Sequence, residues 1–276
     1  GKTSLLDIIG QRVQIFSPHL QISGEVALGS DLLSPSLFRQ NCSYCPQEDC
    51  LWAGLTVREH LFYALLISSG TSADMNDTLI RTLIEMLGLS KCADTLVGSE
   101  IIKGCSGGQK KRLGVGVELV TRPQLLVLDE PTSGLDSHSA MCCVNVLLYS
   151  AKRLSITVLA TIHQPSTHLW SSFHRVMILS GGSMVYVGEP GGFLPHARSM
   201  GHEPEMSHVN PADYALSLIS RDFGSEDDKE IVDDFVSAWK KIAPSDGIQF
   251  EIAELAPFDF HLYRCRLWYL GCRTFY

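Results

Sequence analysis

"LLVLDEPTSGLD", residues 125–136, is the stretch on which the reading of this chain turns. Leu125 to Leu128 make a compact apolar run that ends in Asp129 and Glu130, as expected for a buried parallel strand whose carboxyl end faces a ligand crevice. At such a strand end Asp129 is placed to hold a divalent cation or its water, and Glu130 to polarise a water molecule. Acids after an apolar run also cap turns, and Pro131 follows directly. The stretch alone admits both readings.

Further along the chain, "ITVLATIH" reads as a second strand, and "RVMILSGG" and "SMVYVG" as the last two, joined by a Gly-Gly turn. Toward the amino end, "KGCSGGQKKRLGVGVELV" is mostly helical. Before it come two helical patterns, "LTVREHLFYALLISS" ending at Gly70 and "MNDTLIRTLIEMLGLS" stopping near Gly88. "NCSYCPQED" reads as a strand running into a loop, "QISGEVALGS" as a short strand with a glycine turn, and residues 1–10 as a helix start with Leu5, Leu6, Ile8 and Ile9 on one face. Strands alternating with helices argue for an α/β fold in which residues 56 to about 118 are inserted as a helical subdomain. Beyond Gly188, "FLPHARSMG" and "NPADYALSLIS" read as helices, and "RDFGSEDDKEIVDD" as an acidic, solvated segment. The closing "FHLYRCRLWYLGCRTFY" fits an ordinary amphipathic helix or one lying at a membrane surface or against a membrane domain.

At 276 residues the chain suits one large or two modest domains. Its net charge is -8, with no basic stripe interleaved with aromatics, which argues against nucleic acid as a partner. Nine cysteines form no repeated framework, and an odd number cannot pair fully within one chain, so reduced thiols are expected. Cys42 and Cys45 have the spacing of half a zinc site, but no second pair completes four ligands, and plain thiols are the expectation. No run approaches the ~20 apolar residues of a membrane span, and neither a signal peptide nor an initiator Met is visible. The chain is therefore expected to be a fragment or an excised domain.

Two further motifs bear on phosphate chemistry. "GKTSLLDIIG", residues 1–10, reads as the second half of a G-x-x-x-x-G-K-[ST] loop whose first half would precede residue one, or as a chance tripeptide ahead of a surface helix. In the first reading Lys2 reaches the β- and γ-phosphates, Thr3 ligates Mg²⁺, and the helix aims its amides at the anion. In "CSGGQKKR", Ser106, Gly107 and Gly108 make a small, amide-rich surface at the head of a helix, where side-chain bulk would block a phosphate. A lone S-G-G is an everyday turn. Taken in order, however, these elements supply what ATP hydrolysis requires: amides and a lysine around the phosphates, a hydroxyl and a carboxylate for Mg²⁺, and a group to orient water.

The chain resembles the nucleotide-binding domain of an ATP-binding cassette transporter, and more narrowly of subfamily G, the White family. The resemblance rests on "GKTS", Gln47 in "YCPQED", "LTVREHL", "CSGGQKKR", "VLDEPTSGLD", "TIHQPS" and "NPADY", which together cover residues 1–220. It implies a P-loop NTPase cassette with a central, mainly parallel sheet, the inserted helical subdomain and a truncated amino-terminal part. Residues 221–276 would be an acidic linker and an amphipathic connecting helix leading to a membrane domain that is absent from the chain.

By the same resemblance, Gly1, Lys2, Thr3 and Ser4 belong to the phosphate loop, and Gln47 is the Q-loop residue that reaches Mg²⁺ and senses the transmembrane domain. Ser106, Gly107, Gly108 and Gln109 form the signature that contacts the γ-phosphate of ATP held by the opposite subunit. Asp129 is the metal carboxylate, Glu130 the catalytic base, Asp136 the D-loop residue and His163 the switch histidine; Thr3, Gln47 and Asp129 would hold Mg²⁺. The implied partners are a second nucleotide-binding domain, closed head to tail around two ATP molecules, and the chain's own membrane domain, at the cytosolic face of a membrane.

The "NCSYCPQED…LTVREHLFYALL" region is also similar to sterol-exporting members, which suggests a lipid, sterol or other hydrophobic substrate. Cys105 stands where the family usually has Val, Ile or Leu, and His174 where an Asp is common. A soluble cassette ATPase is the alternative from another class, and would show a second cassette or a basic flank. A catalytically weak, regulatory half of a heterodimer is another, though such a subunit commonly lacks at least one of Lys2, Gln47, Ser106, Glu130 and His163, all present here.

Overall fold

The computed structural model describes residues 1–12, 23–48, 50–69, 73–204, 209–219 and 226–242. The terminal aromatic and arginine-rich stretch and Gly70 lie outside the described residues. The chain divides into two bodies, one built from residues 6–162 and a smaller one from residues 1–5 and 163–242.

In the larger body, β3 (Cys42–Cys45), β4 (Leu125–Leu128) and β5 (Thr157–Ala160) form a parallel sheet with β4 at the centre. The register pairs Cys42 with Leu125 and Leu125 with Thr157, so the three strands end together at Cys45, Leu128 and Ala160. Because successive side chains point to opposite faces, β4 serves two cores. Leu126 and Leu128 point into a large cluster built mainly from helices, and Val127 into a smaller one with Leu6, Leu28, Leu33 and Phe38. All three are fully buried, and each burial contributes about 1.5–3 kcal/mol. The uninterrupted apolar run is thus the signature of a strand covered on both faces.

Between β3 and β4 the described residues form three α-helices, α3 (Val57–Ser69), α4 (Ala73–Met86) and α5 (Gly107–Leu119), with a short 3-10 turn at Ser90–Cys92. Leu61 and Leu65 of α3, Ile80, Leu83 and Ile84 of α4 and Leu113 of α5 share one core, each set spaced by three or four residues as a helical stripe demands. Gly116 lets α5 come close: a Cβ there would run into the Leu87 side chain and stand 3.2 Å from Leu61. The helix α4 stops as expected at Gly88, whose φ of +64 suits glycine. The amino-terminal part holds α1 (Lys2–Ile9), a two-residue hairpin β1 (Ala27–Leu28) and β2 (Asp31–Leu32), and α2 (Pro35–Asn41). Among the described residues, the strand read in "QISGEVALGS" is confined to Ala27 and Leu28, and Gln21 and Ile22 lie outside them. A long helix, α6 (Ser137–Leu154), joins β4 to β5.

The smaller body contains the antiparallel hairpin β6 (Val176–Ser180) and β7 (Ser183–Gly188), with α7 (Thr167–Ser172), α8 (Phe193–Ser199), α9 (Pro211–Ile219) and α10 (Glu226–Ile242). Gly181 and Gly182 both have positive φ, +54 and +79, as a two-residue hairpin loop requires. One expectation needs correction here. The acidic segment read as simply solvated contributes to a 17-residue helix, α10. Asp233 and Asp234 face solvent, but Val232, Phe235 and Val236 are buried with Trp170, Tyr186 and Phe193. Charge sets how much of a helix stays wet, while apolar spacing sets which face packs.

Candidate active site

Asp129 follows β4 directly and is 4% exposed. Its main-chain N–H donates to the Cys45 carbonyl at 3.0 Å, which extends the ladder by one residue, and the Thr161 N–H does the same toward the Leu128 carbonyl at 3.0 Å. Thr161 therefore stands beside Asp129. Its hydroxyl donates to Asp129 Oδ1 at 2.6 Å and accepts from the Glu130 N–H at 2.8 Å. One buried oxygen thus holds the side chain of the first acid and the main chain of the second. Glu130 needs that hold, because its φ of +46 lies in the left-handed region that a residue with a Cβ seldom adopts.

The Glu130 carboxylate accepts from Gln47 Nε2 at 2.9 Å, and the Gln47 carbonyl accepts from Lys111 Nζ at 2.5 Å. Gln47 lies two residues past β3, so three neighbouring strand ends gather Gln47, Asp129, Glu130 and Thr161 in one place. The oxygen donors offered there, an amide and a carboxylate, are hard ligands of the kind Mg²⁺ prefers.

The turn after Glu130 closes through Ser133 N–H to the Glu130 carbonyl and Leu135 N–H to the Thr132 carbonyl, with Gly134 at φ +72. Asp136 then caps α6, its Oδ1 accepting from the His138 and Ser139 amides and its Oδ2 from the Ser139 hydroxyl at 2.7 Å. The Ser139 hydroxyl and these amides hold the Asp136 carboxyl below its ordinary pKa.

Ser106 caps α5 in a reciprocal capping box with Gln109: the Ser106 N–H donates to Gln109 Oε1 at 2.8 Å and the Gln109 N–H to Ser106 Oγ at 3.4 Å. Gly107 is exposed, and a Cβ on it would meet only Leu135 Cδ2, 3.7 Å away. Gly108 is buried, and a Cβ there would stand 3.1 Å from Ser139 Cβ. The two glycines therefore differ. Gly107 leaves an open amide surface, while Gly108 allows α5 to pack on the start of α6.

Gly1, Lys2, Thr3, Ser4 and His163 belong to the smaller body. Lys2, Thr3 and Ser4 form the first turn of α1, and the Leu5 N–H donates to the Gly1 carbonyl at 3.1 Å. Amides of a first helical turn lack intrahelical acceptors, which makes this end suited to an anion. His163 is exposed, three residues past the end of β5, and Gln164 after it has a φ of +42.

Thr161 and Lys111 escaped the reading of the motifs. The pairing of "LLVLDE" with "TVLATI" carries a signal for Thr161, since strands of equal length in parallel register set residue 161 beside residue 129. Lys111 has no local signal, because its acceptor lies 64 residues away. The C-x-x-C pair lies on β3, where burial pushes the Cys42 thiol up to about 11.

A parallel sheet whose strand ends carry this pair of acids, in a mixed α/β body with a glycine-headed helix, is the architecture of a P-loop NTPase cassette. Residues 1–133 match the family described as ABC transporter. ABC transporter G family member 21 of Arabidopsis thaliana is 37% identical over 220 residues, which is 79% of this chain and 32% of that protein. ABC transporter G family member 22 of Dictyostelium discoideum is 38% identical over 228 residues, 80% of this chain and 36% of that protein. ABC transporter G family member 14 of Arabidopsis thaliana is 34% identical over 254 residues, 87% of this chain and 37% of that protein. The chain belongs to the ABC transporter family, in its G-family branch. It spans about a third of the length of these relatives. Among the described residues no helix is long and apolar enough to cross a membrane.

Proposed function

We propose that this chain hydrolyses ATP to power transport by a G-family transporter, with residues 1–220 as the cassette and residues 221–276 leading toward a membrane domain. Lys2 draws in the β- and γ-phosphates, and Thr3, Gln47 and Asp129 hold Mg²⁺, which when bound neutralises charge on the phosphates. Glu130 orients water for attack on the γ-phosphorus and takes up its proton, and His163 senses the γ-phosphate. In the resting arrangement the Glu130 carboxylate is engaged by Gln47. Gln47 thus restrains the Glu130 carboxylate through Nε2, while its amide oxygen is the atom that would be offered to the metal.

Ser106, Gly107, Gly108 and Gln109 serve the nucleotide of a second such domain, and Asp136 lines the same junction. Two copies, or a copy and a related subunit, therefore close around two ATP molecules at the cytosolic face of a membrane. A lipid, sterol or other hydrophobic molecule is the proposed cargo, on the similarity of residues 41–66 to sterol-exporting members. The observation that carries the ATPase reading is the Asp129–Thr161–Glu130 arrangement, which presents two acids with separate jobs at one strand end.

The test is Glu130→Gln in the complete transporter. ATP binding persists and steady-state hydrolysis falls to background. Normal hydrolysis by that variant would remove Glu130 from its role.

A further inference from the structure

The geometry points to Asn210 as a positioning residue for the histidine loop: its side-chain amide clamps the main chain two residues beyond His163 and so sets where that imidazole stands. The inference rests on the reading of His163 as the γ-phosphate sensor, and it gives "NPADY" a task in the reaction.

Asn210 Nδ2 donates to the Pro165 carbonyl at 3.1 Å and to Asp213 Oδ2 at 2.9 Å. Asn210 Oδ1 accepts from the Ala212 N–H at 3.2 Å, and the main-chain carbonyl of Asn210 accepts from the Tyr214 N–H at 3.0 Å. Both Nδ2 partners are oxygens without a hydrogen to give, and the Oδ1 partner is a donor. The amide therefore has one orientation that satisfies all three neighbours. Pro211 follows as the first residue of α9, where its fixed φ suits a helix start, so the Asn-Pro pair locks the cap in place.

Gln164 has a φ of +42, a conformation that persists only where its surroundings maintain it. Pro165 has no N–H, so its carbonyl is the main-chain group through which a neighbour can grip it. Ser166 caps α7, accepting from the Leu169 N–H at 3.4 Å, and Trp170 anchors that helix in the core with its Nε1–H on the Pro190 carbonyl at 3.0 Å. The far end of the loop is thus fixed by α7, and its middle by Asn210. His163 is exposed, so burial does not orient it; the path of the main chain through Gln164 and Pro165 does.

Asn210→Ser in the full-length transporter separates capping from clamping. Serine caps a helix about as well as asparagine, but it is too short to reach Pro165. The expected result is a kcat for ATP lowered roughly tenfold or more, as for other small displacements of a catalytic group. KM for ATP and thermal midpoint should change little, and the pH dependence of kcat should differ in shape from that of the parent.

In a His163→Ala background, Asn210→Ser should cause no further loss of residual turnover, because the group it positions is gone. Unchanged kcat in Asn210→Ser, a loss that adds fully to that of His163→Ala, or a pH profile that superimposes on the parent after scaling would each overturn the inference. Parent-like turnover in His163→Ala alone would instead remove the sensor reading on which it rests.

Discussion

Thr161→Val isolates one oxygen atom. Valine matches threonine in shape at a position only 8% exposed, so the substitution deletes the hydroxyl and leaves packing almost unchanged. Two bonds go with it, the 2.6 Å donation to Asp129 and the 2.8 Å acceptance from the Glu130 N–H. A hydrogen bond to a carboxylate contributes about 1.5–3 kcal/mol and one between neutral groups about 0.5–1.5 kcal/mol, which together predict a loss of about 2–4.5 kcal/mol. For a domain of this size each kcal/mol lowers the midpoint by roughly 2–4 °C, so a drop on the order of 10 °C is expected by scanning fluorimetry.

Catalysis should suffer more than stability. Without its N–H partner, the left-handed turn at Glu130 relaxes, and a displacement near 1 Å costs on the order of a hundredfold in kcat. Thr161→Ser keeps the oxygen, loses one methyl group, and should retain most of the midpoint and the turnover. ATPase assays on the full-length transporter would compare the two. If the valine variant hydrolyses ATP within twofold of the serine variant, the shared hydroxyl does not position the acids and the reasoning fails.

Two further outcomes follow from the same structure. Burial pushes the Glu118 carboxyl up to about 7, against partial relief from Ser43 and Arg12. Between pH 4.5 and 7 the folded chain keeps a proton that the unfolded chain has released, so stability falls as pH rises through that window. Glu118→Gln should therefore raise the midpoint at pH 8, by up to about 3 kcal/mol of stability, and leave it unchanged near pH 4.5; equal midpoints at pH 8 would contradict the assignment. Gly108→Ala should destabilise the fold by about 1–2 kcal/mol through its crowding of Ser139, whereas Gly107→Ala should leave the thermal midpoint nearly intact and lower turnover; identical midpoints for the two would refute the division between them.

The fold was legible where one pattern dominated. Leu125 to Leu128, the stripes of α3 and α4, and Gly181-Gly182 each carry their geometry in a few adjacent residues. The α10 helix was misjudged because its acids dominate the local composition, and composition averages over faces that packing separates. In the site, Gln47, Asp129 and Glu130 come together because two neighbouring parallel strands end at one level, so recognising the strands was nearly enough to place them. What could not be read was the tie between distant segments. The Lys111 ammonium on the Gln47 carbonyl and the Asn210 amide on Pro165 depend on tertiary approach, and a sequence records such pairs as ordinary polar residues.

The contact between Gly108 and Ser139 constrains how this sequence can drift. A Cβ at position 108 would stand 3.1 Å from Ser139 Cβ and 3.2 Å from its hydroxyl, so the space between α5 and the start of α6 is sized for a glycine facing a serine. The two sites, 31 positions apart, must vary as a pair or stay small together. In a collection of relatives, position 139 should look as restricted as a catalytic residue while performing no chemistry.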